Sequence, residues 1–175
     1  MKNVTLKNTI VKADKKFDPF EQENLFYEYN LKINEAEINQ VLFLVKDVNT
    51  KDQKTTYENL NILNFPVLKK LKKQITDILD KHKLLLTNSW AQLYNKENAH
   101  GIHNHFGSIY SGIIYLKGNN ASPTYFYSNL LKNYVYNFKE NTLLMFPSHL
   151  PHEVKKLEKD EQRLIISFNT QPWID

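Results

Sequence analysis

The segment Arg163-Leu164-Ile165-Ile166-Ser167-Phe168-Asn169 has the composition of a buried β-strand and carries the one arginine among the chain's 23 lysine and arginine residues. Side chains alternate between the two faces of a strand, so Arg163, Ile165 and Ser167 are predicted to share a face. A guanidinium on an apolar face needs an anionic partner. Its planar fork of donors binds a carboxylate bidentately, which a lysine ammonium cannot do. The alternative interpretation is a surface ion pair.

Short strand patterns precede this segment from residue 84 onward and are separated by the turn sequences Gly118-Asn119-Asn120, Lys139-Glu140-Asn141 and Lys159-Asp160-Glu161. The predicted strands are Leu84–Tyr94, His103–His105, Ile109–Leu116, Thr124–Ser128, Tyr134–Phe138, Thr142–Phe146, Glu153–Leu157 and Arg163–Asn169. Closely spaced strands after a helical region predict a mainly β fold, a cupin-like double-sheet jelly roll. Such a fold has a mouth between its sheets in which a small ligand can bind.

Two helices are predicted before the strands. The first runs from Asn34, a candidate N-cap, to about Val48, and its apolar residues have helical spacing. The second runs from Pro66 to about Lys81, because proline suits the first turn and the apolar residues form one stripe. His82, at the end of this charged helix, is expected to interact with the helix dipole or with solvent.

Length and composition limit the class of protein. The 175 residues contain no linker sequence and predict a single domain, with residues 1–83 as helical support and residues 84–175 as the jelly-roll core. The absence of cysteine excludes disulfides, zinc–thiolate sites, iron–sulfur clusters and thiol nucleophiles, and it fits a cytoplasmic location. No apolar run is long enough to span a membrane. The net charge of +4 is mild, so nucleic-acid binding is not indicated.

A group of histidines, His100-Gly101-Ile102-His103-Asn104-His105, lies before the arginine. On a strand, His103 and His105 would point to the same face and could bind one metal ion, which His152 would approach from a later strand. Three imidazoles on one side of Fe(II) leave the other side open for substrate, cosubstrate and dioxygen. The alternative is that His105 lies outside the coordination sphere. His100 and His149 are expected to be bystanders or pocket residues and not ligands.

From about Asn88 to Asn169 the chain resembles the 2-oxoglutarate/Fe(II) oxygenases common in phage and marine bacteria, which belong to a prolyl-hydroxylase-like superfamily. The segments that carry the resemblance are Ser89-Trp90, His103-Asn104-His105 with Ser111-Gly112-Ile113-Ile114-Tyr115, Phe146-Pro147-Ser148 with His152, and Arg163 with Ser167-Phe168-Asn169. The resemblance implies a double-stranded β-helix, with Fe(II) at His103 and His152. It also implies 2-oxoglutarate with its far carboxylate on Arg163, and Tyr94 as a second cosubstrate contact.

These observations together predict which residues bind the metal, which are catalytic and which contact the cosubstrate. The metal ligands are expected to be His103, His105 and His152, which are the catalytic residues together with Arg163. The cosubstrate is expected to contact Arg163, Tyr94, Ser167 and Tyr115. One feature departs from the superfamily, which normally has an Asp or Glu where this chain has His105. The substitution removes one negative charge from the metal site.

The predicted activity is hydroxylation of a substrate with Fe(II), 2-oxoglutarate and dioxygen, which releases succinate and carbon dioxide. One alternative is a cupin-like three-histidine dioxygenase that does not use 2-oxoglutarate, in which Arg163 binds a carboxylate of the substrate itself. Another is a non-catalytic jelly roll whose histidines are structural or bind zinc. The sequence leaves the substrate open between small molecules and proteins, and a homodimer stays possible.

Overall fold

The computed structural model of the protein describes residues 3–5, 10–11, 26–46, 54–57, 61–96, 98–118, 123–127, 133–156 and 162–173. Several predicted features therefore lie wholly or partly outside the described residues. They are the end of the first helix at Val48, the strand ends at Ser128 and Leu157, and the turns at Gly118-Asn119-Asn120 and Lys159-Asp160-Glu161.

Both predicted helices are present. Helix α1 spans Glu35–Lys46 and begins with a capping box, because the Asn34 Oδ1 accepts the Glu37 N–H at 3.0 Å and Glu37 Oε2 accepts the Asn34 N–H at 3.0 Å. Helix α2 spans Lys69–Lys81 and follows two short 3-10 helices, Ile62–Asn64 and Pro66–Leu68. The apolar stripe of α2 is buried as predicted.

The described strands form two sheets, which confirms the predicted mainly β fold. The strands are β1 Asn3–Thr5, β2 Ile10–Val11, β3 Phe26–Asn30, β4 Lys54–Thr55, β5 Leu84–Tyr94, β6 His100–His103, β7 Tyr110–Lys117, β8 Thr124–Tyr127, β9 Asn133–Tyr136, β10 Thr142–Pro147, β11 His152–Val154 and β12 Arg163–Pro172. One sheet has the order β2-β3-β10-β7-β12-β5-β4, and the other has the order β1-β9-β8-β11-β6. Neighbouring strands are antiparallel except in the β1–β9 and β2–β3 pairs.

The larger sheet separates two cores, and strand β12 contributes alternate residues to each. Leu164, Ile166 and Phe168 lie in the core that contains the buried stripe of α2. Ile165 lies in the second core, toward the five-stranded sheet, and Arg163 and Ser167 are buried beside it. The alternation predicted from the sequence is therefore confirmed, and it assigns the arginine to the inner face.

Gly112 on β7 lies opposite Phe168 of β12. A Cβ atom on Gly112 would approach the Phe168 ring to 2.1 Å, so only glycine fits beneath this ring. A glycine inside a strand is typical of such a close approach.

The expected role of His82 is wrong. Its side chain is buried and lies against the ring of Tyr27, with ring centroids 4.6 Å apart, and it forms a hydrogen bond with the Tyr29 hydroxyl. The end of α2 packs against β3, and the two tyrosines of that strand cover the imidazole. No helix in the described part of the chain has the length and apolar character needed to cross a membrane.

Candidate metal and carboxylate site

His103 and His152 are brought together by strand pairing. His103 ends β6, His152 begins β11, and the two are directly paired across the ladder. Their ring centroids are 4.2 Å apart. His152 is buried between the rings of Phe126 and Phe146, with centroids at 5.7 and 4.8 Å.

The predicted strand His103–His105 is wrong, because β6 ends at His103. His105 instead lies in the following loop. Its backbone N–H donates to the Ser148 carbonyl at 2.8 Å, and its Nδ1–H donates to Asn169 Oδ1 at 2.8 Å. These bonds place its ring centroid 5.2 Å from that of His103 and 5.1 Å from that of His152. The three histidines thus meet as predicted, through loop contacts and not through strand alternation.

In each of the three imidazoles Nδ1 lies near an oxygen acceptor, which leaves Nε2 as the nitrogen available to a metal. His103 Nδ1–H donates to the Gly101 carbonyl at 2.8 Å, and His152 Nδ1–H donates to the Leu150 carbonyl at 3.0 Å. An oxygen acceptor at Nδ1 fixes the proton there, so Nε2 keeps its lone pair in all three rings. One ligand nitrogen from each residue lies within 4.8 Å of the others. The His105 Nε2 is buried and has no hydrogen-bond partner.

Burial keeps these imidazoles neutral. Desolvation lowers the pKa of His152 to about 2 and that of His105 to about 4, and it lowers the pKa of His103 in the same direction. Neutral imidazole is the form that binds metal. The donor set therefore fits a first-row divalent ion such as Fe(II), which imidazole ligands suit.

His100 and His149 lie outside this trio. The His100 ring stacks on His103 with centroids 3.8 Å apart, and its Nδ1 lies 3.2 Å from the Tyr94 hydroxyl and 3.3 Å from Gln92 Nε2. His149 is exposed on the turn after β10. His100 therefore lines the pocket beside the trio.

Arg163 is fully buried, with 0% exposure, and its charge has no partner of opposite sign among the described residues. Its Nη2 donates to Thr124 Oγ1 at 2.7 Å, whereas Nε and Nη1 have no acceptor. The rings of Tyr94, Tyr115 and Phe138 surround the guanidinium, with centroids 5.3 to 5.9 Å from Cζ. A buried cation with two free donors is strongly unfavourable unless an anion binds there. The position therefore fits a carboxylate of 2-oxoglutarate.

Of the other predicted cosubstrate residues, two line the inner pocket and one lies behind it. Tyr94 lies opposite Arg163 in the β5–β12 ladder, and burial raises its pKa to about 12, so its hydroxyl stays protonated. Ser167 Oγ donates to Gln92 Oε1 at 3.3 Å. Tyr94 and Ser167 line the inner pocket. Tyr115 is set behind it, with its hydroxyl 2.9 Å from Thr124 Oγ1.

Two adjoining cavities connect these groups. A cleft of about 420 Å³ is lined by His103 and His105 and also by the exposed rings of Tyr57 and Phe106. An inner pocket of about 20 Å³ is lined by the three histidines and by Arg163. That volume holds about one water molecule, so a dicarboxylate reaching Arg163 displaces some of the side chains that line the pocket.

The sequence interpretation missed two residues that organise the site. Thr124 is the partner of Arg163, and Asn169 is the partner of His105. Thr124 begins a predicted strand, so strand alternation could have marked it as inward-facing, but nothing local pairs it with Arg163. Asn169 belongs to a motif that carries the family resemblance, and strand alternation places it on the same face as Arg163 and Ser167.

Residues 88–169 match the model of the family described as "Putative 2OG-Fe(II) oxygenase". Comparison with curated proteins gave no match. The fold is similar to that of a viral collagen prolyl hydroxylase from Paramecium Bursaria Chlorella virus-1 in complex with 2-oxoglutarate, with a TM-score of 0.64 at 12% identity over 85% of this chain and 96% of that one.

Two further structures have the same fold. A prolyl hydroxylase from Trichoplax adhaerens, in complex with a hypoxia inducible factor peptide fragment, has a TM-score of 0.63 at 16% identity over 82% of each chain. HygX from Streptomyces hygroscopicus, with nickel and 2-oxoglutarate bound, has a TM-score of 0.62 at 11% identity over 84% of this chain and 82% of that one. The match over residues 88–169, which is just under half of the chain, confirms the predicted resemblance to the 2-oxoglutarate/Fe(II) oxygenase family and supports an oxygenase enzyme.

Proposed function

We propose that the enzyme hydroxylates a C–H bond of its substrate, with Fe(II) held by His103, His105 and His152 and with 2-oxoglutarate anchored on Arg163. The observation that carries the proposal is the inner pocket, which is lined by three converging imidazoles and by a buried guanidinium with free donors. When bound, Fe(II), 2-oxoglutarate and dioxygen supply oxidative decarboxylation to succinate and carbon dioxide, with transfer of one oxygen atom to the substrate.

The protein's part in this reaction is to bind, orient and exclude water. Arg163 holds the far carboxylate through its unsatisfied N–H groups, which include those of Nε and Nη1. Thr124 accepts one N–H of Nη2 and fixes the orientation of the guanidinium. The protonated hydroxyl of Tyr94 and the Ser167 hydroxyl can donate to the same ligand, while Tyr115 supports Thr124 from behind.

The charge of the site differs from that of a site with one carboxylate ligand. Three neutral imidazoles add no charge to Fe(II), so the metal and the doubly charged cosubstrate sum to zero. Substitution of a carboxylate by His105 therefore removes one negative charge from the metal and weakens its electrostatic retention. We expect this metal to be held more loosely than in a site with an acidic ligand.

The outer cleft indicates which part of a substrate can enter. Its described lining contains aromatic rings and amides, including Trp90, Phe106 and Gln92, but no carboxylate, lysine or arginine. A charged group would lose hydration there without gaining a partner, so the reacting part of the substrate is uncharged. Peptide and small-molecule substrates both satisfy this condition. Amide and free-acid forms of candidate substrates test it, and equal turnover of both forms would contradict it.

Succinate formation is the direct test of the proposed reaction. The parent protein with Fe(II) should convert 2-oxoglutarate to succinate, and His152→Ala should abolish the conversion. The exposed His149 gives the matched control, since His149→Ala removes an imidazole that does not approach the site. Metal-dependent oxygen uptake without use of 2-oxoglutarate would instead support a three-histidine cupin-like dioxygenase. Metal binding without either reaction would support a non-catalytic module.

A further inference from the structure

A chain of buried hydrogen bonds lies behind His105. Asn169 Oδ1, which accepts the His105 Nδ1–H at 2.8 Å, also accepts the Ser111 hydroxyl at 2.7 Å. Ser111 Oγ lies 2.8 Å from Ser148 Oγ, and both serines are buried. Ser148 also binds the His105 backbone N–H through its carbonyl. Strands β7 and β12 and the turn after β10 thus converge on one loop histidine.

These hydrogen bonds hold His105 in place, as strand pairing does for the other two histidines. His103 and His152 are fixed by the β6–β11 ladder, and backbone carbonyls accept their Nδ1–H groups. His105 lies outside the described strands, and the acceptor of its Nδ1–H is a side-chain oxygen, Asn169 Oδ1. In this orientation of the amide, Asn169 Oδ1 accepts from both His105 and Ser111.

We infer that Asn169 is a positioning residue that holds the His105 ring with Nδ1 protonated and Nε2 directed at the other two ligand nitrogens. The inference rests on the proposed role of His105 as a metal ligand. Because Asn169 is neutral, it orients the imidazole without adding charge. An aspartate in its place would keep the acceptor and return one negative charge to the surroundings of the metal.

Cobalt(II) binding to the metal-free protein tests the inference, because both the dissociation constant and the visible spectrum report on the ligands. Asn169→Leu should weaken Co(II) binding by about 10–100-fold, as for loss of a partner behind a histidine ligand, and should change the spectrum. Asn169→Asp should keep the affinity within a few-fold or tighten it, and it should lower the iron midpoint potential. Asn104→Ala is the control, since it removes an amide from the same cleft without removing the His105 acceptor.

His105→Ala, measured in parallel, separates two kinds of failure. If His105→Ala weakens Co(II) binding and Asn169→Leu changes neither affinity nor spectrum, the inference about Asn169 is wrong while the metal site stands. If neither variant weakens binding, the proposed ligand set fails as well. Should Asn169→Leu not fold, Asn169→Asp decides the question, because an unchanged midpoint potential would overturn the inference.

Discussion

The two faces of the seven-stranded sheet use the same strands but differ in what they leave unsatisfied. On the helix side, apolar residues pack against α1 and α2, the buried His82 has a tyrosine hydroxyl as partner, and one oxygen of the buried Glu37 carboxylate is without a partner among the described side chains. On the inner side, Arg163 keeps two free donors and His105 keeps a free buried Nε2. Buried polar groups without partners lower the stability of the fold, but they remain available to bind a ligand. The buried guanidinium with free donors agrees with the proposed placement of the site on the inner face.

The largest expected effect is the difference in unfolding free energy between substitutions at two neighbouring residues of β12. Leu164→Ala should lower the free energy of unfolding by about 2–5 kcal/mol, because it opens a cavity in the helix-side core. Arg163→Met should leave this free energy unchanged or raise it, since it removes a buried charge that has no counter-ion among the described residues. Urea unfolding of the ligand-free protein measures both. Equal destabilisation by the two substitutions would contradict the proposed energetic difference between the two faces of the sheet.

Metal binding should distinguish His105 from the two histidines that lie outside the trio. His105→Ala should weaken divalent-metal binding by more than about 100-fold, beyond the loss expected for a residue behind a ligand. His100→Ala and His149→Ala should leave it largely intact, since neither belongs to the converging trio. His105→Asp should bind metal at least as well as the parent and keep uncoupled 2-oxoglutarate turnover. Unchanged affinity in His105→Ala would remove this residue from the ligand set.

The packing of the helix side can be tested at its closest contact. Gly112→Ala should cost about 1–3 kcal/mol of unfolding free energy, because the new methyl group overlaps the Phe168 ring. Gly101→Ala is the matched control, since a Cβ there meets nothing within 4 Å. The double variant Gly112→Ala/Phe168→Leu should recover part of the loss. No recovery would mean that a contact other than the Phe168 ring limits the side-chain size at residue 112.

The smallest effect concerns the pH dependence that His82 gives to the helix side. Desolvation, with a smaller contribution from Lys81, lowers the pKa of His82 below its ordinary value near 6.5. The unfolded chain then binds the proton more readily, so stability is fully present above about pH 6.5 and falls as the pH decreases below it. His82→Phe should reduce the loss of stability between pH 7.5 and 5.0. Urea unfolding of the metal-free protein would refute this if the loss were unchanged.

Features that depend on local periodicity could be predicted from the sequence. The bounds of β5 and the alternation along β12 agree with the structure because strand geometry acts between neighbouring residues. Features that depend on distant contacts could not. His105 is fixed by Asn169, 64 residues away, and His82 is buried by Tyr29, 53 residues away. Thr124, which satisfies one donor of Arg163, lies 39 residues from it. No local pattern encodes these three pairings.

The most direct test of the central claim is 2-oxoglutarate binding to the anaerobic, Mn(II)-loaded protein. Arg163→Met should weaken binding by about 2–5 kcal/mol, because the carboxylate loses both the charge and the fork of its partner. Arg163→Lys should weaken it less, since the charge remains, and Mn(II) affinity should stay the same in both variants. Equal 2-oxoglutarate affinity in the parent and in Arg163→Met would contradict the assignment of the buried arginine as the cosubstrate anchor.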